Sequence, residues 1–539
     1  MTRYLVNSSR YKHGFDPHWE NVIFYLAMLP PGSEPADISP AAQTITKVTP
    51  SEMGYVANAG PVPGMSAWLF GNFAGGNSNT HQLIVNMSQL LDGDFTFECW
   101  AANLDFTPNA KILFCITTQT DNIGVPGSHG AGLSSEGSIY YRGEGVIARM
   151  GGVPSGTQVI ATNLAMHGEQ PVGGSWNHYC VERSGSINRF YFNGQPWALT
   201  VNNATVLSSL RLFLGGGTTL ANQPHARWKG YLGPTRLTRG VARFNGTPFV
   251  PGFDTSGLMV ETAPSFSTRS WVRVRFTAMN SGGYAKLGEI ELRTSPGGPD
   301  VASTATHACT ATSSQGTAAN AIDWPNSMVS ATTGLLVGDN ITLDLKASYN
   351  VQHMILQQGS NYATAFRLQY SDNNTDWTTA ASYSTMSPWF SGQRQPFHVP
   401  SVGSHRYWRV VIDAVAPSTT ADIINVDLSE TPTSHSLVVH PHRFGTIHNY
   451  NWDKPTGNVF DGNLSTEGWI MNTCGWATVR LANPVSSIEE LMIRSTSDNT
   501  YTPSAGVVEY SSDGKRWQTD WGWSGLTWGP SESKVITRP

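Results

Sequence analysis

Text in the second half of the chain recurs at a nearly fixed spacing, which obliges that half to contain two copies of one fold. Trp271-Val272-Arg273-Val274 returns as Trp408-Arg409-Val410-Val411, 137 residues later. Asp323 in AANAIDW answers Asp461 in TGNVFDG at a spacing of 138, and Tyr370-Ser371-Asp372 with Trp377 answers Tyr510 to Asp513 with Trp517 at 140. Solenoid repeats run to about 20–50 residues, so a period this long is a whole domain. The repeat divides the region into two units, 269–404 and 405–539.

Composition says what those units are made of. The chain holds 54 Gly, 32 Pro, 18 Trp and 18 Tyr with 13% charged residues, which suits short strands joined by tight turns and not long amphipathic helices. Its 539 residues are several times a typical domain of roughly 150, so several cores are expected. From Trp19 to about 255 the pattern is alternation broken by turns: TFECW, ILFCI, HYCVERSG, INRFYFNGQPW and LRLFLGG read as strands. Asn193-Gly194 marks a hairpin, because a primed two-residue turn needs the positive φ that Asn and Gly tolerate. The stretch SGLMVETAPSFST at 256–268 lacks periodicity and reads as a linker. The fold class is therefore all-β, with three consecutive antiparallel sandwiches.

Several partner classes are excluded. A net charge of −5 leaves no basic stripe for a phosphate backbone, so no nucleic acid is expected. About 20 consecutive apolar residues never occur, which excludes membrane insertion by a helix, and the first residues show no signal-peptide pattern. Five scattered cysteines, Cys99, Cys115, Cys180, Cys309 and Cys474, are odd in number and lack CxxC spacing, which argues against a disulfide framework or zinc site, and Cys99, Cys115 and Cys180 lie in apolar runs that suit buried free thiols.

Two resemblances cover nearly all of the chain. The run WNHYCVERSGSINRFYFNGQPW, then LFLGGG, then WKGYLGPTRLTRGVARFNGTPFVP, resembles the laminin G/concanavalin A-like jelly rolls of bacteriophage structural proteins. Asp16-Pro17-His18-Trp19-Glu20-Asn21-Val22 and the strand Phe95 to Trp100 match the opening segments of those relatives. The resemblance assigns 16–255 to this domain and leaves 1–15 as an N-terminal arm suited to docking. Gly233-Pro234 stand where relatives carry an acidic residue, which argues against calcium there. Units 269–404 and 405–539 resemble the discoidin (coagulation-factor C-type, galactose-binding-like) sandwich, through NAIDW and NVFDGNLST, ITLDL and ATVRL, and YSDNNTDW and YSSDGKRW. In that family an RYWRV strand closes the domain, whereas here one copy opens each unit. Either each first strand completes its own unit's sheet, as in a circular permutation, or the last unit is truncated; the first arrangement leaves no apolar edge exposed.

Catalytic patterns are missing from the sequence. Glycosidases of concanavalin A-like fold need two carboxylates about 5–9 Å apart, and Glu98 stands alone in TFECW, alternating with Phe97 and Cys99. GxSxG, HExxH and Walker sequences do not occur. His440, His442 and His448 form the densest histidine segment, which is more often a surface patch than a metal site. No catalysis, cofactor or metal is expected. Sugar binding is the better reading, since polar loops with an aromatic face make a saccharide pocket. The discoidin resemblance places ligand loops at one end of the sandwich, which here implies Asp323, Trp324 and Asn326, and Asp461, Asn463 and Trp469. The tail DWGWSGLTWG adds Trp521, Trp523 and Trp528, although tryptophan in such sandwiches commonly plugs the core.

The resemblances together imply a bacteriophage virion component, in the tail or on the capsid surface, that displays carbohydrate-binding modules toward host glycans. The alternative is a structural connector that binds only other virion proteins, and the third is a polysaccharide depolymerase. Without heptads, a homo-oligomer would form through the sandwiches or a partner. Assembly in the host cytoplasm accounts for the missing export signal.

Overall fold

A computed structural model describes residues 16–26, 28, 33–48, 53–71, 82–87, 93–103, 111–117, 137–142, 145–150, 162–163, 176–185, 187–200, 210–215, 229–253, 258–264, 266–280, 284–302, 309–316, 332–384, 394–416, 419–433, 437, 459–460, 464, 468–471 and 476–539. Regular structure among them is strand apart from short 3-10 turns, and every strand pairing is antiparallel. No helix among the described residues is long and apolar enough to cross a membrane. The chain forms two compact units, one ending at Pro264 and the other spanning Ser265–Pro539.

Among the described residues the first unit has two large sheets and a two-stranded one, Val250–Phe253 with Met259–Thr262. The eight-stranded one runs Gln195–Thr200, Ile187–Phe192, Asn177–Ser184, Phe95–Asn103, Gly230–Arg239, Ala67–Phe70 and Met53–Val56, with Val22–Leu26 also on Gly230–Arg239. The seven-stranded one is centred on Lys111–Thr117 and Leu210–Leu214. Phe97 stacks on Phe114, 3.9 Å between centroids, so the core lies between the sheets. The Asn193-Gly194 hairpin forms as expected, with φ of 51° and 80°. Gly194 is required twice over, because a Cβ there would sit 1.9 Å from the Phe249 carbonyl oxygen.

Glu98 and Arg236 stand directly opposite each other on neighbouring strands, on the face turned from that core. Glu98 is fully buried, and Arg236 Nη2 reaches its two oxygens at 2.9 and 3.0 Å. Arg236 and Arg243 also hold Asp16 and Glu261, so both ends of the unit are tied to its central strands. Burial raises the Glu98 carboxyl, and Arg236, Arg243 and His178 outweigh that to hold it well below the ordinary glutamate range. Glu98 thus has its hydrogen-bonding capacity taken up by Arg236 inside the protein. The structure corrects the 256–268 linker: Met259–Thr262 is a strand paired with Val250–Phe253, Met259 is buried, and Glu261 belongs to the ion network. The 1–15 arm lies outside the described residues.

Cys99 and Cys180 are buried free thiols, which burial pushes upward, and Cys309 is buried as well. The Cys115 side chain and Cys474 lie outside the description.

In the second unit two sandwiches are nested. One packs Thr310–Ser313, Asn340–Tyr349, His405–Ala416, Tyr362–Ser371 and Thr378–Tyr383 against Thr332–Leu335, Ala421–Ser429, His353–Gln358 and Arg394–His398, over a core that includes Trp408, Phe366 and Leu428. The other packs Trp476–Val485, Arg269–Met279, Pro503–Ser511 and Gln518–Trp523 against Gly468–Met471, Tyr284–Arg293, Glu490–Ser495 and Ser533–Thr537, over a core with Val274, Phe276 and Ile493. Its first two strands precede the whole of the first sandwich in sequence and its remaining strands follow it. The inserted sandwich is thus contained within an interrupted one.

This pairing moves the boundary drawn between 404 and 405. His405–Ala416 lies between Asn340–Tyr349 and Tyr362–Ser371, so it closes the inserted sandwich. Arg269–Met279 instead pairs with Trp476–Val485 and Pro503–Ser511 and completes the C-terminal sandwich. A central strand goes where unpaired N–H and C=O groups await it, and sequence proximity does not decide that. The alignment of the repeat shifts by one residue as well. Arg273 faces Glu509 and Arg409 faces Gln369, which makes Val272 the counterpart of Trp408, both in their cores. Trp271 lies on the opposite face, near Arg480.

Candidate ligand-binding end of the C-terminal sandwich

Each nested sandwich has one end where the chain enters and leaves and one free end made of loops. In the C-terminal sandwich the free end carries the turns 496–502 and 524–532, tied down by Asn280 N–H to the Thr502 carbonyl at 3.1 Å and Leu526 N–H to the Ser504 carbonyl at 3.0 Å.

The sequence Asp498-Asn499-Thr500-Tyr501 builds the central turn. Asp498 caps the 3-10 turn Asn499–Tyr501 by accepting the Thr500 N–H, the usual use of aspartate at such a position. The Asn499 side chain donates to the Trp528 carbonyl, and Trp528 donates its indole N–H to the Pro503 carbonyl at 2.8 Å. Lys286, on Tyr284–Arg293, then meets this turn: its Nζ is 3.1 Å from Asp498 Oδ2 and 4.6 Å from the Tyr501 ring centroid. Lys286 is mostly buried, whereas Asp498 keeps 46% of its side chain exposed. The Lys286 ammonium and the Thr500 hydroxyl hold the Asp498 carboxyl below its ordinary range. Asp498 is therefore an ionised, outward acceptor beside a cation and a half-buried aromatic ring. Such a set can bind adjacent hydroxyls through the carboxylate and ammonium while a ring covers a C–H face.

Trp469 falls in register here, its Cα directly opposite Lys286 on Gly468–Met471. Its side chain lies outside the description, as do Asp323, Trp324, Asn326, Asp461 and Asn463 and the histidines 440, 442 and 448. Trp521 is placed elsewhere: it is 7% exposed, packs in the core and donates its N–H to the Ile488 carbonyl at 2.9 Å. That corrects its assignment as a stacking residue, because its ring faces are already covered by the core. Trp528 is likewise in the core, and Trp523 is half-buried against it, over Gly506. Sequence reasoning passed over Lys286, Asp498 and Tyr501, since Lys286 precedes the insertion and Asp498 follows it 212 residues later, with Tyr501 close behind; the available cue was the aspartate two residues before Thr500.

The matching end of the inserted sandwich is polar with an apolar tip. Asn361 Nδ2 donates to Asp422 Oδ2 at 3.0 Å, and Leu336 and Val337 are exposed on the turn beside Gly338. Among the described residues no three His, Cys, Asp or Glu converge as a metal site.

Comparison with known proteins bears on the inserted sandwich. Residues 302–426 match the F5/8 type C domain family model. Comparison with curated proteins gives no match. Similar solved structures include the chitosan-binding module 1 of a chitosanase/glucanase from Paenibacillus sp. IK-5, 20% identical, covering 24% of this chain and 98% of its own, with a TM-score of 0.20. A Clostridium perfringens module, CpGH89CBM32-5, in complex with GalNAc-β-1,3-galactose, is 16% identical, covering 22% of this chain and 94% of its own, with a TM-score of 0.20. The CBM32 module of AlyQ in complex with 4,5-unsaturated mannuronic acid is 16% identical, covering 23% and 95%, with a TM-score of 0.21. Residues 302–426, within the inserted sandwich, form an F5/8 type C, discoidin-like domain.

Proposed function

We propose that this chain is a non-enzymatic glycan-binding protein that attaches a bacteriophage particle to sugars on the host surface. The observation that carries the sugar-binding part is the pairing of an F5/8 type C domain with a second sandwich of the same strand plan, whose free end presents Lys286, Asp498 and Tyr501 together. The virion setting rests on the resemblance of residues 16–255 to the jelly rolls of phage structural proteins, with which the two facing sheets of the first unit agree. Against catalysis stands the state of Glu98, which is locked by Arg236 and Arg243 and away from solvent.

A glycan array and host-cell binding assay with the whole chain tests this reading. Saturable binding to a defined set of glycans is expected. Binding to other particle proteins with no glycan signal would turn the assignment to a connector, and release of reducing ends from a host polysaccharide would turn it to a depolymerase.

A further inference from the structure

The inserted sandwich carries a histidine pair that plays no part in the sugar-binding reading. His353 opens the strand His353–Gln358, His398 closes the strand Arg394–His398, and the antiparallel register sets them directly opposite each other. Cross-strand partners of this kind have Cβ atoms about 4.5–5.5 Å apart on one face of the sheet. Met354 and Phe397, their neighbours in sequence, point into the core, so the histidines occupy the outer face. His353 is nonetheless only 3% exposed.

The nitrogens of the pair are unevenly used. His353 Nδ1 lies 3.1 Å from the Ser429 hydroxyl on the strand at its other flank. Its Nε2, across the ring, has no hydrogen-bond partner among the described residues, and neither has Nδ1 of His398. A buried polar atom without a partner is costly, and native proteins seldom leave one without a reason. A ring with one nitrogen held by a hydroxyl and the other bare is the arrangement of a metal-ligating histidine with its outer partner.

We propose that His353 and His398 form a two-imidazole site for a borderline divalent transition metal, with Zn2+ as the natural occupant. Imidazole selects zinc, nickel or copper over the oxygen-seeking calcium and magnesium. With two ligands among the described residues the metal is exchangeable, and its remaining positions fall to water or another donor. The site lies at the end where Ser429 leads out of the inserted sandwich, and Lys286 and Tyr501 belong to the other sandwich, so it is argued independently of sugar binding.

The test uses the whole chain, stripped with chelator and dialysed against Zn2+ or Ca2+, beside His398→Gln. The unmodified chain should retain one more equivalent of zinc than the variant. Zinc should also raise its melting temperature, an effect the variant loses and calcium does not reproduce. Equal zinc in the two proteins, or none in either, overturns the proposal. Should the variant fail to fold, anomalous diffraction from zinc-soaked crystals of the unmodified chain decides: a peak between the two rings supports the site, and its absence there rejects it.

Discussion

Arg273 Nε lies 2.6 Å from Glu509 Oε2 across a sequence separation of 236 residues, with the guanidinium 4.7 Å from the Trp476 ring and 4.4 Å from Trp517. A strand that precedes the inserted domain is thereby fastened to one that follows it. Removing one partner of a buried ion pair leaves the other charge unpaired, at a cost of about 3–5 kcal/mol. Glu509→Ala should therefore lower the stability of the C-terminal sandwich by about 3 kcal/mol in urea unfolding. The inserted sandwich repeats the device with a neutral acceptor: Arg409 donates to Gln369 at 2.8 Å and lies 4.2 Å from Trp377. Gln369→Ala should cost about 1 kcal/mol. Equal losses from the two substitutions would contradict the assignment of a buried charge to the first pair alone.

Nesting makes a prediction about fragments. A chain of residues 405–539 lacks the central strand Arg269–Met279 and should give no cooperative unfolding transition, whereas residues 265–539 should unfold cooperatively. Residues 302–437 hold every strand of the inserted sandwich and should fold alone. A stable, cooperative 405–539 fragment, seen by circular dichroism on heating, would contradict the strand pairing.

Acid sensitivity should begin in the inserted sandwich. His353 is lowered from 6.5 to about 3, so the unfolded chain takes up the proton more readily than the folded one. Its contribution is complete above about 6.5 and diminishes as pH falls toward about 3. Glu98, held well below 4.5 by its arginines, contributes fully above that value and loses its contribution only as pH falls through the lower folded value. His353→Gln should flatten the decline in stability between about pH 6 and 4, measured by urea midpoints across pH. An unchanged slope would contradict the buried, neutral state of His353.

Much of this architecture was legible because it is local. Tyr370 and Tyr510, and Trp377 and Trp517, occupy equivalent hairpins, as their common spacing implied, and Asn193-Gly194 makes the turn its residue types demand. The nesting was hidden because Trp271 and Trp408 look alike in sequence yet face opposite sides of their sheets. Side-chain period in a strand is two, so a one-residue slip reverses the face, and only the pairing of Arg273 with Glu509 reveals it. Lys286, Asp498 and Tyr501 escaped for a related reason, since the insertion separates them along the chain. Trp521 misled in the other direction: an aromatic-rich tail suggests stacking surfaces, but alternation sends Trp521 inward, where its N–H finds the Ile488 carbonyl.

The most direct test of the account measures affinity, by titration calorimetry, for a glycan that the whole chain selects on an array, in the unmodified protein and in Lys286→Ala and Tyr501→Ala. Both side chains sit at the free end, away from the ion pairs that hold the sheets, so the variants should fold normally. Loss of a stacked ring or a hydrogen bond to charge is worth about 1.5–3 kcal/mol, a weakening of roughly ten- to a hundredfold in each variant. Full affinity in both, with unchanged melting temperatures, would contradict sugar binding at this end of the sandwich.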